Sequence, residues 1–162
     1  MKRFLSILLS MTMLLTLAAC GGEKGGQTKE APDLNQNYED FMAALGEDNA
    51  PAMMDVEAAF IAQVYPGLEA YALKQSVLKT ALISMVAYEF ALVEVEDASK
   101  VQEVADIFQA RIDYQIENGA FYPMTLEGWE KAEVITQGNV VALICASDNQ
   151  AQAVEAFNKL FA

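Results

Sequence analysis

The sequence predicts an α+β fold: an antiparallel sheet of about four strands with helices packed on one face. Three observations carry this. Val86 to Val95 is an apolar run rich in aromatic and β-branched residues, as strands are. Val140 to Ala146 is a second such run, joined through Gln137-Gly138-Asn139 to Glu133–Thr136 as a hairpin. Between them, Val101, Val104, Ala105, Phe108, Ile112 and Ile116 recur at helical spacing.

In chain order, Tyr38 to Leu45 reads as a short helix with Phe41, Met42 and Leu45 on one face and Gly46 ending it. Ala52 to Val64 reads as a second helix, with Met53, Val56, Phe60 and Val64 in register, broken at Tyr65-Pro66-Gly67. From Leu68 two patterns compete. Alternation of Tyr71, Leu73, Gln75 and Val77 with smaller or polar residues favours a strand, and a helix to Ile83 is the rival. The strand Val86–Val95 follows. Ser99 and Gln102 match a capping box at the start of the long helix, which Asn118-Gly119 stops. Ala120 to Gly128 reads as a loop carrying Phe121, Tyr122, Met124 and Leu126, with Trp129 after it. The hairpin and a last helix, Gln150 to Phe161 capped by Ser147 or Asp148, complete the order.

Ahead of this domain the sequence changes character. Met1-Lys2-Arg3 is a basic start, Phe4 to Leu17 is apolar with only Ser and Thr interrupting, and Leu17-Ala18-Ala19-Cys20 closes it. This reads as a lipoprotein signal (residues 1–19) cut before Cys20, whose thiol takes diacylglycerol. The apolar run is short for a membrane span, which needs roughly 20 residues. Residues 20–36 read as lipidated cysteine and disordered tether, reaching on the order of 20–25 Å. Residues 37–162 read as one α+β domain. The expected location is the extracytoplasmic face of a cell membrane.

The net charge is −13, from 10 basic and 23 acidic residues. Cleavage removes Lys2 and Arg3, leaving 8 basic residues against 23 acidic and a net charge of −15. That excludes nucleic acid as a partner, since it demands a cationic face, and it opposes lying flat on an anionic lipid surface. The sequence contains no histidine. A histidine-dependent zinc site, a Ser-His-Asp triad and a Cys-His pair are therefore excluded. With Cys20 committed to lipid, Cys145 is left alone in an apolar strand and reads as a small buried hydrophobe. No cofactor or metal is expected.

The order and spacing of several residues resemble the lipoproteins of Gram-positive anaerobes grouped as domain of unknown function 4358. These are Tyr65-Pro66-Gly67-Leu68, the strand Ala87 to Val95, Arg111 and Gln115, Tyr122, and the hairpin Ala132 to Val140. The resemblance spans roughly residues 50–161. It implies an extracytoplasmic lipoprotein, and it brings no catalytic or binding residues with it.

Four constellations could carry chemistry. Ser76-Val77-Leu78-Lys79 and Ser147-Asp148-Asn149 match two motifs of serine β-lactamases and penicillin-binding proteins. No K-T-G follows, and S-x-x-K should open a helix, so a non-enzyme is expected, with a hydrolase using Ser76 and Lys79 as the remote alternative. Glu89 is the only charged residue between Thr80 and Val93, and Arg111 is the only arginine left after cleavage. They are read as a pair, either structural or lining a ligand site. Phe121, Tyr122, Met124 and Trp129 are expected to fold back over the sheet rather than form an exposed recognition loop. Glu94, Glu96 and Asp97 read as a solvated strand end rather than a calcium loop. The leading functional expectation is a non-enzymatic, lipid-anchored module binding another protein or a small ligand. A substrate-binding accessory of a transporter is the alternative.

Overall fold

A computed structural model describes residues 32–46, 49 and 51–162. The signal, Cys20 and most of the tether lie outside the described residues. The five strands are β1 (Met53–Asp55), β2 (Leu73–Ala81), β3 (Tyr88–Val95), β4 (Glu133–Gln137) and β5 (Val140–Ala146), all pairing antiparallel in the order β1-β2-β3-β5-β4. Among the described residues the α-helices are α1 (Leu34–Leu45), α2 (Ile61–Val64), α3 (Val101–Tyr114), α4 (Pro123–Glu130) and α5 (Gln150–Lys159). The α+β class and the antiparallel sheet are as expected, with one strand more.

Helices cover both faces of the sheet, not one. Ala91, Val93 and Val95 of β3 and Val141, Leu143 and Cys145 of β5 point to α3, meeting Val104, Phe108 and Ile112. The alternate residues Phe90, Leu92, Val140, Ala142 and Ile144 point the other way, to Leu34, Tyr38, Phe41 and Leu45 of α1 and to Ala153 and Phe157 of α5. Every residue of β3 and β5 is buried. Strands buried on both faces need no polar alternation, and that is why these two runs are almost continuously apolar. Tyr38 and Phe41 both pack on the Phe90 ring, at 5.5 and 5.4 Å between centroids.

Helix α1 starts at Leu34, earlier than the domain boundary at residue 37. Asp33 caps it, accepting from the backbone N–H groups of Asn35 and Gln36 at 3.0 Å. Leu34 is fully buried, and its N–H donates to the Gln75 side-chain oxygen. The second expected helix is instead strand β1, a short 3-10 turn and α2. Met53 lies opposite Ala81 at the sheet edge, a long-range pairing that overrides the local helical spacing. Leu73–Ala81 is a strand, as the alternation favoured.

Local caps also differ. Asp97, not Ser99, accepts at the start of the long helix, from the Ser99 N–H at 2.9 Å. The segment expected as a loop after Ala120 is α4 from Pro123, with proline at the first helical position, where its missing N–H is harmless. Neither Ser147 nor Asp148 caps α5. Ser147 sits at φ +44° with its hydroxyl donating to the Ala87 carbonyl at 2.9 Å, and Gln150 accepts from the Ala146 N–H. The β4–β5 turn is Gly138-Asn139, with Gly138 at φ +60°, the two-residue form that puts glycine first.

Candidate functional site

Glu89 stands on the α3 face of β3, directly opposite Cys145 of β5, and is 1% exposed. Arg111, near the end of α3, reaches down to it. Arg111 Nε donates to Glu89 Oε1 at 2.9 Å and a terminal nitrogen donates to Oε2 at 2.7 Å. This two-pronged geometry is the strongest form of the ion pair. The Tyr65 hydroxyl donates to Oε1 at 2.9 Å. The Gln115 amide oxygen, turned to the guanidinium, accepts from both Nη1 and Nη2 at 2.7 Å. The Trp129 ring lies 5.5 Å from the guanidinium carbon, within cation–π range. The sequence-predicted pair is thus real and buried, and Tyr65, Gln115 and Trp129 complete it.

Local structure explains why these groups meet. Tyr65-Pro66-Gly67 breaks the chain after α2, and Gly67 takes φ +95°, a conformation only glycine adopts without strain. The break drops Tyr65 into the core, edge-to-face on Phe108 at 5.5 Å. At the far end of α3 the helix widens into a π-turn over Gln115–Gly119, which holds Gln115 one turn from Arg111.

Electrostatics follow from burial. Burial works against the Arg111 charge, but the bonds and charge of Glu89 outweigh it and hold the guanidinium above its usual range. Burial, then the Glu89 charge and hydrogen bond, push the Tyr65 phenol well up. Burial, followed by the Glu89 charge, likewise raises the Cys145 thiol. Its Sγ donates to the Ala87 carbonyl at 3.3 Å, and a protonated, enclosed thiol is not a nucleophile.

The raised groups set an alkaline limit on stability. A folded-state pKa above the unfolded value means the unfolded chain loses its proton first. Stability is then full below the ordinary values of 9.0 for Cys145 and 10.0 for Tyr65, and falls as pH rises past them. Each group contributes a slope of about 1.4 kcal/mol per pH unit in that range. Urea melts of Cys145→Ala should show a flatter decline between pH 9 and 10 than the parent, whatever the starting stability.

Beside the pair lies an open groove of about 720 Å³ between the α2 turn and α3. Val64, Pro66, Ile107 and Ala110 form its apolar walls, and Gln63, Asp106, Arg111 and Tyr114 supply polar atoms. Volume and lining match those of small-molecule sites, which run from roughly 300 to 1,000 Å³ and are mostly apolar with a few placed polar groups.

The other expected constellations are rearranged. Ser76 and Lys79 both lie on strand β2, three residues apart, and so project to opposite faces. Lys79 pairs with Asp55 at 2.7 Å. The catalytic S-x-x-K geometry is not formed. Asp148 pairs with Lys131, and Asn149 donates to the Tyr88 hydroxyl at 2.6 Å. Glu94 is not a solvated strand end. It is buried on the α1 face and accepts from Lys74 and Gln75. Among the described residues no cluster of three acids or thiols is placed to hold a metal. Of the aromatic loop, only Trp129 folds into the core, whereas Phe121, Tyr122 and Met124 stay exposed.

The sequence pattern of the family described as Domain of unknown function (DUF4358) matches residues 46–146, more than half of the chain. The chain belongs to the DUF4358 family. No curated protein and no solved structure matches it. The match stops short of residue 161. The DUF4358 segment contains the whole sheet, α3, α4 and the Glu89–Arg111 network, and excludes α1 and α5, the two helices covering the second face.

Of the groove residues, only Arg111 was singled out from sequence as a candidate site residue. A signal was present in Ala110, an apolar but exposed residue of α3 lying off its core-facing stripe, whereas Ile107 packs against the core at the edge of that stripe. An apolar residue off the stripe has no core to fill.

Proposed function

We propose that this DUF4358 chain is a lipid-anchored, extracytoplasmic binding module that holds a small amphipathic molecule in the groove between the α2 turn and α3. The observation that carries the reading is the groove itself, apolar on its walls and bordered by a guanidinium already fixed in place. Arg111 is neutralised by Glu89, so it offers its remaining N–H capacity and a rigid rim rather than a free positive charge. Asp106 and Gln63 leave the groove suited to a neutral or cationic ligand. The lipobox ending in Cys20 supports attachment through diacylglycerol, and two or more acyl chains hold a protein firmly. Absence of histidine and the opposed Ser76 and Lys79 support binding rather than catalysis.

Two variants test this. Cys20→Ser should move the full chain from the detergent-extracted membrane fraction to the aqueous fraction. Retention in the membrane would remove the anchor. A thermal-shift screen of the full chain against metabolites should find a compound that raises Tm, with Ala110→Trp, which fills the groove from an exposed position, abolishing that shift. A shift that survives Ala110→Trp would place the ligand elsewhere.

A further inference from the structure

The end of the molecule where β2 turns into β3 carries a second, separate feature. Leu82, Ile83 and Met85 in that turn are each more than half exposed. Phe121 is 86% exposed and Met124 73%, and Tyr122 is more than half exposed between them. The two segments adjoin, because the Thr125 hydroxyl donates to the Met85 carbonyl at 3.1 Å. Six large, exposed apolar side chains therefore lie on two adjoining segments at this end. Monomeric proteins rarely leave such a set in water, and contiguous patches of this kind mark interaction sites.

The surroundings say what covers the patch. Glu117, on the π-turn beside Phe121, and Glu127, one turn after Met124 on α4, are both exposed. The lysines nearest this pole, Lys79 and Lys131, are committed to Asp55 and Asp148. The rim is thus acidic, on a chain whose net charge is −13. A second copy would bring the same acidic rim against itself, and an anionic lipid surface would be repelled. The pole also lies opposite the place where the chain enters the fold. Leu34 is held by Gln75, which also bonds Glu94, and Glu94 sits about 20 Å along β3 from Tyr88 at roughly 3.3 Å per residue.

We infer that this pole is a protein-docking surface whose partner presents apolar side chains flanked by lysine or arginine. Leu82, Ile83, Phe121 and Met124 enter the partner's apolar contact, while Glu117 and Glu127 pair with its cationic rim. Such rims fix orientation and exclude wrong partners.

The test is a photo-crosslinking residue, p-benzoylphenylalanine, placed at Met124 in the full chain in its native cells, with Glu96 at the opposite end as the control position. The expected result is an adduct from position 124 and not 96, mapped by sequencing to an apolar segment flanked by basic residues. That adduct should fall by about tenfold when Glu117→Lys and Glu127→Lys are introduced together. The milder Glu117→Gln, Glu127→Gln pair should give an intermediate loss, which guards against misfolding of the charge-reversed chain. An adduct of twice the chain's mass would assign the surface to self-association, and adducts to lipid would assign it to the membrane. Either of those, no adduct, or a protein adduct indifferent to charge reversal would overturn the inference.

Discussion

Arg111→Ala should destabilise the domain by about 3–5 kcal/mol, because it leaves the Glu89 carboxylate buried without its cation. Glu89 is 1% exposed. The Tyr65 hydroxyl is the partner that remains. The loss is a large share of a typical stability of 5–15 kcal/mol. Urea unfolding at neutral pH would show it as a lower midpoint at unchanged slope. Arg111→Lys should fall between, since an ammonium cannot reproduce the two parallel bonds. The triple change Tyr65→Phe, Glu89→Leu, Arg111→Met removes every member of the buried polar cluster on the sheet side. It should recover most of the stability, as apolar replacements of buried pairs often do. A loss below about 1 kcal/mol for Arg111→Ala would mean the carboxylate is solvated, against its burial here.

Deleting residues 1–46 should abolish cooperative folding, even though what remains holds nearly the whole segment that matches the DUF4358 family. The deletion strips Leu34, Tyr38, Phe41 and Leu45 from the second face and bares Phe90, Val77 and Leu92. At about 1.5–3 kcal/mol for each large apolar side chain, four such losses rival the whole stability of a domain. Circular dichroism should show no sigmoidal melt. A melt like that of the full chain would mean that α1 is dispensable and that the sheet needs cover on one face only.

Much of this was legible in the sequence. Glu89 stood out as a lone charge in an apolar run, and Arg111 as the only arginine after Arg3; each needed the other. The hairpin was written in Gly138, and α3 in its stripe of Val104, Phe108 and Ile112. What escaped depended on contacts between distant residues. Met53–Asp55 becomes a strand only because β2 offers an edge. Glu94 is buried because Gln75 and Lys74 meet it across the β2–β3 pairing. The double cover of the sheet was missed, although the unbroken apolar run Val140–Ala146 carried its signal, since a strand wetted on one side alternates. Tyr65 and Gln115 joined the network through a glycine turn and a π-turn, neither of which has a spacing signature.

The groove is the centre of the functional reading, and hydrogen exchange tests it most directly. The full chain would be compared with and without a metabolite extract of its own cells, with exchange followed by mass spectrometry. The account predicts slowed exchange confined to residues 61–68 and 103–115, the two walls of the groove, and its loss in Ala110→Trp. Slowing elsewhere in the sheet or helices, or none at all, would contradict a ligand held beside Arg111.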